Sequence, residues 1–160
     1  GEVMGFDEDF GMAFAKSQIA ASNSLPTKGL AFIAWQHSHN EEGVELAKQL
    51  VKLNFQLCGT SGTAKYINSH GIKCKKINKV NQGSPHIVDV LNAKKIALVI
   101  NTGGGNAEKQ LNDAKALRRA TLINKVPYCT NMSTAQVCIE GIKSLKNRKL
   151  TVASLQEIKN

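Results

Sequence analysis

Short apolar runs alternate along this chain with longer stretches in which apolar residues recur at helical spacing. Residues 30–35, 55–58 and 96–100 are compact and apolar, with branched or aromatic side chains suited to strands covered on both faces. The stretches between them place apolar residues three and four positions apart, as on the inner side of a helix. This alternation predicts βαβ units and a mostly parallel sheet in an α/β domain.

Shorter apolar segments at 73–77 and 126–130 bring the predicted sheet to five strands. Five helices are predicted between and after these strands. One begins near Glu41, a short one contains Ile67, one begins at Ser84, one spans 107–124 and one begins at Ser133. The third of these helices is expected to have Pro85 at its first position, which helix starts favour. Periodicity also predicts that Val51 on the first helix and Leu111 on the fourth face inward. The result is a doubly wound domain.

The start of the chain differs in pattern from the rest. A helix is predicted over residues 7–21, and a polar loop with Pro26 follows it. We therefore divide the chain into a leading segment and linker, residues 1–27, and one domain, residues 28–160. The first residues lack an initiator Met and the basic-then-apolar order of a signal peptide, which favours a domain cut from a longer protein.

Charge and composition narrow the classes of partner. Lys and Arg number 21 against 12 acidic residues, so the net charge of +9 favours an anionic partner. Aromatic residues make up 5% and do not interleave with basic ones, which disfavours nucleic-acid binding. No apolar run is long enough to cross a bilayer. Lys73, Lys75 and Lys76 alternate with Cys74 and Ile77, as on a solvated edge strand.

The four cysteines are Cys58, Cys74, Cys129 and Cys138, and they show no C-x-x-C spacing. Each lies among apolar neighbours, as small buried thiols usually do. This pattern predicts a reduced, cytoplasmic protein rather than a disulfide framework.

Three loops follow predicted strands and carry groups suited to an anionic ligand. In open α/β sheets, ligands bind beyond the carboxyl ends of the strands, where helix N-termini supply N–H donors. Gly59-Thr60-Ser61-Gly62-Thr63 combines glycines with hydroxyls that can donate to phosphate oxygens, although such a run can also be a simple helix cap. Lys79 could balance the charge of a phosphate, or be merely solvated. Asn101 and Thr102 end a buried strand, where they bind a ligand or pin the loop.

Other chemistries find no support in the sequence. Residues 103–105 are all glycine, but they follow a late strand and lack the G-x-G-x-x-G spacing of dinucleotide sites. The histidines, which include His37 and His39, show no metal-ligand spacing, although these two could contact an anion. No nucleophile and base pair or carboxylate pair can be assembled. We predict an edge that binds rather than reacts, with no catalytic residue, no metal and no cofactor of its own.

Seven segments, in order and spacing, resemble the C-terminal domain of carbamoyl-phosphate synthase large subunits. They are GEVMG at 1–5, AFAKSQ at 13–18, LCGTSGTA at 57–64, NKV at 78–80, GSPHI at 83–87, INT at 100–102 and LRRA at 117–120. The resemblance covers nearly the whole chain. It implies a methylglyoxal-synthase-like fold, a three-layer Rossmann-like domain with a five-stranded parallel sheet flanked by helices.

The resemblance also implies a regulatory role. In bacterial members this domain binds the allosteric effectors UMP and IMP, while ornithine activates from a site shared with the neighbouring catalytic domain. The parent ligase makes carbamoyl phosphate from glutamine, bicarbonate and ATP, with Mg or Mn, for pyrimidine and arginine biosynthesis. Implied partners are the rest of the large subunit, the small glutaminase subunit and, as a further contact, a second copy of the chain.

The family's functional positions carry over residue by residue. Those matching the effector nucleotide site are Thr60, Ser61, Thr63, Lys79, Asn101 and Thr102, and those matching ornithine signalling are Tyr128 and Thr130. Two positions depart from the bacterial pattern, because Asn40 stands where a phosphate-binding Lys is common and Gly103 stands in place of a second Thr. Losing one charged contact weakens binding by roughly 1.5 to 3 kcal/mol unless His37 or His39 substitutes.

Two alternatives remain. One is a stand-alone lyase related to methylglyoxal synthase, which would need catalytic aspartates beyond the glycine-rich loop, where residues 101–106 have none. The cyclohydrolase members of the fold fit no better, because residues 82–86 replace their typical Lys-Thr and His-Pro segment. The other alternative is a structural module whose pocket has decayed and which serves subunit association.

Overall fold

The computed structural model describes residues 25–103 and 108–159. Its centre is a five-stranded, wholly parallel sheet with the strand order β3-β2-β1-β4-β5. The strands are β1 Gly29–Ala34, β2 Phe55–Gly59, β3 Cys74–Lys76, β4 Leu98–Asn101 and β5 Tyr128–Cys129. The predicted fold class and the five parallel strands are confirmed.

The described helices cover both faces of this sheet. They are α1 Asn40–Lys52, α2 Ser61–Ser69, α3 Ile87–Asn92, α4 Glu108–Ile123 and α5 Met132–Lys159. Single 3₁₀ turns at His37–His39 and Val80–Gln82 follow β1 and β3. The helix predicted over residues 7–21 lies outside the described residues, whereas Leu25, within the predicted linker, packs into the core.

The central strand β1 explains why its sequence is apolar at every position. Ala31 and Ile33 point to a core that α1, α2 and α5 cover, while Phe32 and Ala34 point to a second core under α3 and α4. A strand between two helical layers has no solvated face, so its residues do not alternate between apolar and polar. These layers make the three-layer α/β/α arrangement.

The chain changes direction across the sheet at β1. From β1 it builds outward to β2 and β3, and then crosses back to place β4 on the other side of β1. Ile33 consequently pairs with Gly59 of β2 on one side and with Ile100 of β4 on the other. The crevice beyond adjacent strands at such a reversal is where ligands bind in open α/β sheets.

The predicted solvated edge strand is confirmed at β3, where Cys74 is buried and Lys75 and Lys76 are exposed. All four cysteines are buried and free of disulfides. Burial raises the pKa of the Cys58 thiol to about 12 and that of Cys74 to about 11. Within the described residues, no helix is both long and apolar enough to span a bilayer.

Two side chains predicted to face inward do not. Val51 is 45% exposed and Leu111 is 49% exposed. Val44 and Val51 lie two turns apart on the same side of α1, but only Val44 is buried. Periodicity identifies the inner side of a helix, but it does not tell how far along the helix neighbouring elements cover that side. On α4 the inner side runs through Leu117 and, two turns earlier, through Gln110 rather than Leu111.

The predicted start of α3 is also wrong. The helix begins at Ile87 rather than at Ser84–Pro85, and the Ser84–Pro85 peptide is cis. The Asp89 carboxylate accepts hydrogen bonds from the backbone N–H of His86 at 2.9 Å and from the Ser84 hydroxyl at 2.5 Å. This cap places His86 in extended backbone before the first turn, so that Pro85 precedes the helix.

Candidate functional site

A cavity of about 540 Å³ opens at the carboxyl edge of the sheet, where β1 and β4 lie side by side. Its size is that of a typical small-ligand pocket. The lining residues are Phe32, Ala34, Trp35, Gln36, His37, Thr60, Lys79, Val80, Asn81, Gln82, Ile87, Asn101, Gly103, Gln110, Asp113, Ala114 and Leu117. They come from β1 and the end of β4, from the segments that follow four of the strands, from the start of α3 and from α4, so the cavity occupies the crevice expected at the reversal.

The cavity has an apolar and a polar part. Phe32, Ile87 and Leu117 are buried members of the core beneath α3 and α4, and they supply the apolar part. Apart from the imidazole of His37, Lys79 is the basic group and Asp113 the acidic group among the lining residues. An apolar floor with a few polar groups is suited to a ligand that has both a flat ring and charged oxygens.

Thr60 lines the cavity, and Thr63 lies behind it. Thr60 is the buried N-cap of α2, and its hydroxyl donates to the Thr63 Oγ1 atom at 3.3 Å. The same Thr63 oxygen accepts from the backbone N–H of Trp35 at 3.2 Å. Thr63 therefore braces the end of β1 against α2, and it orients Thr60 from outside the cavity.

The first turn of α2 presents N–H groups at the same edge. Gly59 has no room for a side chain, because an added Cβ would lie 2.5 Å from the carbonyl oxygen of Ile33. Gly62 differs, since a Cβ added there would have no neighbour within 4 Å, and Ser61 beside it is exposed. An open helix N-terminus whose N–H groups lack intrahelical partners favours an anion.

Lys79 lies at the end of the loop that follows β3. Its backbone N–H donates to the Gln82 Oε1 atom at 2.8 Å, which fixes the 3₁₀ turn Val80–Gln82. The exposed side chain of Lys79 lines the cavity together with Thr60. The structure therefore brings together a hydroxyl and an ammonium group that lie 19 positions apart in the sequence.

Asn101 and Thr102 have separate positions. Asn101 ends β4 and lines the cavity, and its amide Nδ2 donates to the hydroxyl of Tyr128 at 3.3 Å. Thr102 is outside the lining; its N–H donates to the carbonyl of Ala34 at 2.9 Å, and its hydroxyl lies 3.1 Å from Nδ1 of His39. Thr102 thus ties the loop after β4 to the loop after β1.

The two residues matched to ornithine signalling are not equivalent in the structure. Tyr128 packs at the margin of the core beneath α3 and α4 and contacts the site through Asn101. Thr130 is exposed after β5 and does not line the cavity.

Polar residues of α4 complete the site, and the sequence pattern did not predict them. Gln110 and Asp113 line the cavity, and the Asp113 carboxylate accepts from the Asn81 amide at 2.6 Å. This contact joins α4 to the turn that follows Lys79. The sequence contained a signal for them, because both lie on the side of the helix that carries Leu117, where a polar residue must face something other than the core.

Asn40 does not point freely into the cavity. Its Oδ1 atom accepts from the indole N–H of Trp35 at 2.9 Å. The Trp35 ring in turn covers Gly43, where an added Cβ would lie 2.4 Å from ring carbons. Asn40, Trp35 and Gly43 therefore form one packed unit at the start of α1.

The described residues contain no group of three His, Cys, Asp or Glu side chains able to hold a metal ion. The thiols whose pKa burial raises, Cys58 and Cys74, do not line the cavity. The cavity therefore contains hydrogen-bond donors, one ammonium group, one carboxylate and an apolar surface.

A profile of the MGS-like domain matches residues 42–130. The chain is 43% identical over 98% of its length to the carbamoyl phosphate synthase large chain of Mesorhizobium japonicum, and it spans 13% of that protein. It is 44% and 40% identical to the C-terminal sections of the large chain from Aquifex aeolicus and Methanopyrus kandleri, of which it spans 30% and 29%.

A solved structure has the same fold. Methylglyoxal synthase from Elizabethkingia anophelis superposes with a TM-score of 0.58 at 18% identity, over 72% of this chain and 79% of that one. At this identity the likeness concerns the fold alone.

Proposed function

The chain belongs to the family of MGS-like domains, and we propose that it is the effector-binding regulatory domain of a carbamoyl phosphate synthase large chain. Identity near 40% over the whole chain to three large chains or their C-terminal sections supports this assignment. The chain spans less than a third of each of these relatives, so the domain acts on catalytic parts outside it.

The effector in this proposal is a nucleoside monophosphate, UMP and more weakly IMP. One observation carries it: Thr60, Lys79 and Asn101, from three separate loops, line one cavity at the reversal of the sheet. The phosphate docks on Lys79, Thr60 and the N-terminus of α2, where Ser61 adds a hydroxyl at the rim. The base and ribose lie over the apolar floor beside Asn101.

The remaining matched residues support the site from outside. Thr63 orients the Thr60 hydroxyl, and Thr102 holds the two loops that flank the cavity together. Tyr128 contacts Asn101, which gives ornithine signalling a direct link to the effector, and Thr130, exposed just after β5, is the second position of that signal.

The parent protein in this proposal is a cytoplasmic ligase that uses glutamine, bicarbonate and ATP with Mg or Mn, and serves pyrimidine and arginine biosynthesis. Its partners are the small glutaminase subunit and the rest of the large subunit. An effector shifts such an enzyme only by the difference in its affinity for two conformational states, so binding here is necessary but not sufficient for regulation.

Calorimetric titration of the chain with UMP tests the proposal. We expect saturable binding, and we expect Lys79→Ala to weaken it by roughly 1.5 to 3 kcal/mol, about ten-fold or more, because a charged hydrogen bond is lost. Lys73→Ala is the matched control, since it removes the same charge from an exposed position that does not line the cavity. Absence of heat at millimolar UMP, with the fold intact, would refute effector binding.

The lyase alternative has one observation in its favour. Asp113 puts a carboxylate in the cavity wall, although it lies on α4 and is held by Asn81 rather than standing in the glycine-rich loop. Incubation with dihydroxyacetone phosphate and an assay for methylglyoxal separates a lyase from a binding module. Steady formation of methylglyoxal that Asp113→Asn abolishes would overturn the regulatory assignment.

A further inference from the structure

A chain of three side chains beside the cavity determines which ring nitrogen of His37 carries the proton. The indole N–H of Trp35 can only donate, so the Asn40 atom 2.9 Å from it must be the carbonyl oxygen Oδ1. The amide of Asn40 is therefore oriented with its NH₂ group towards His37, where Nδ2 lies 3.4 Å from the ring atom Nδ1. An amide NH₂ has no acceptor lone pair, so Nδ1 of His37 must accept.

We propose that Asn40, itself oriented by Trp35, keeps Nδ1 of His37 as a hydrogen-bond acceptor and the ring proton on Nε2, and that this N–H donates to the phosphate of the effector. This inference rests on the proposed function and assigns the site a further phosphate ligand. His37 is exposed and lines the same cavity as Thr60 and Lys79. His37 is thus a binding residue, while Asn40 and Trp35 are positioning residues that act through it.

Phosphate binding by His37 in this proposal needs the Nε2–H donor and not the charge of the ring. Both the neutral and the charged ring carry the Nε2 proton, so the donor remains available above the pH range in which imidazoles lose their charge.

Other charged or titratable groups surround His37 from several elements. Those that line a cavity with it, or lie on its own turn, are Lys79, Asp113, Glu41, Glu42, Tyr66 and His39. The two glutamates lie in the first turn of α1, beside Asn40. The hydrogen bond from Asn40 is therefore the feature that distinguishes one ring nitrogen from the other.

The protonation state can be read directly by long-range ¹H–¹⁵N correlation spectra of the histidine rings near pH 8. His70 provides an internal reference of the opposite kind, because its Nδ1 lies 3.0 Å from the carbonyl oxygen of Tyr66, which can only accept. We expect the proton on Nε2 in His37 and on Nδ1 in His70. A His37 signal with the proton on Nδ1 would overturn the proposal.

Asn40→Asp tests the positioning role with the same spectra. A carboxylate cannot donate, so Nδ1 of His37 should then carry a proton. An aspartate at the first position of α1 is compatible with the helix dipole, so the fold should be retained. If the His37 spectrum were unchanged in Asn40→Asp, the role of Asn40 would be excluded.

Affinity for UMP tests the donor itself. A Gln side chain can place an N–H near the position of Nε2, whereas Asn reaches only the position of Nδ1. We expect His37→Gln to bind UMP within about two-fold of the unaltered chain, and His37→Ala and His37→Asn to bind roughly ten-fold more weakly. Uridine, which lacks the phosphate, should show no such difference, and His70→Ala should bind as the unaltered chain does.

The outcomes separate this inference from the function on which it rests. Failure of the unaltered, folded chain to bind UMP would refute effector binding, while the His37 spectrum would still report the ring nitrogen. Binding of UMP that is equal in His37→Ala and in the unaltered chain would refute the His37 donor and leave the effector site standing.

Discussion

At the scale of the residue, the site depends on side chains that hold one another in position. Trp35 covers Gly43 and donates to Asn40, and Asn40 contacts His37. The absence of a Lys at position 40 therefore does not leave an empty place, because the amide there joins an indole to an imidazole.

Alanine at the two helical glycines should have opposite effects. In Gly43→Ala the added methyl group meets the Trp35 ring at 2.4 Å, so we expect about 1–3 kcal/mol of destabilisation in urea unfolding. In Gly62→Ala the methyl group has no neighbour within 4 Å, and the higher helix propensity of Ala should leave stability equal or raised by up to ~1 kcal/mol. Equal effects of both variants would contradict the packing of Trp35 on Gly43.

At the scale of the element, helix α4 serves two purposes along one side. Leu117 belongs to the core, while Gln110 and Asp113 line the cavity two turns and one turn before it. The first half of the helix therefore has polar residues where the apolar pattern would place a core residue. Leu111 is exposed because it lies beside, and not on, the side of α4 that Gln110, Asp113 and Leu117 share.

The stabilisation of helix α3 by its N-terminal cap should depend on pH. Hydrogen bonds from Ser84 and from the backbone of His86 hold the pKa of Asp89 below its usual value of 3.8. Because the folded-state pKa is lowered, the stabilisation is present above pH 3.8 and is lost as the pH falls through the lowered value. Titration of the Asp89 carboxyl carbon by NMR should give a midpoint below 3.8.

Ser84→Ala provides the control for this cap. It removes the hydroxyl donor and leaves the His86 N–H in place, so the midpoint should move towards 3.8 without reaching it. A midpoint that is the same with and without the Ser84 hydroxyl would show that the 2.5 Å contact does not act on the carboxylate in solution.

At the scale of the whole molecule, two cores enclose the sheet and bury all four thiols. Ala31 and Phe32, neighbours in β1, contribute to different cores. The polar part of the site lies outside both, beyond the ends of β1 and β4. Ligand contacts can therefore change at the loops while the sheet keeps its packing, as is usual for sites built on a rigid scaffold.

The native chain should resist thiol reagents. Burial raises the pKa of Cys58 to about 12 and of Cys74 to about 11, so both are protonated at pH 8 and shielded from reagent. With a chromogenic disulfide reagent we expect very slow reaction of the native chain and rapid reaction of four thiols in denaturant. Reaction of any thiol at the rate of free cysteine in native buffer would contradict this burial.

The sequence by itself determined the fold class, the five strands and the loops that meet at the ligand edge. It did so because buried strands need continuous apolar runs and because parallel strands end at one edge. Thr60, Lys79 and Asn101 were identified in this way, and all three line the cavity.

Only the tertiary structure decided which candidates face the cavity and which support it. Thr63 and Thr102 look like ligand residues in the sequence, yet the hydroxyl of each makes a hydrogen bond to the segment after β1. Asp113 looks like an ordinary surface residue of a helix, yet it lies on the cavity wall. Periodicity gives the side of an element, whereas contacts between loops far apart in the chain depend on packing that no local pattern contains.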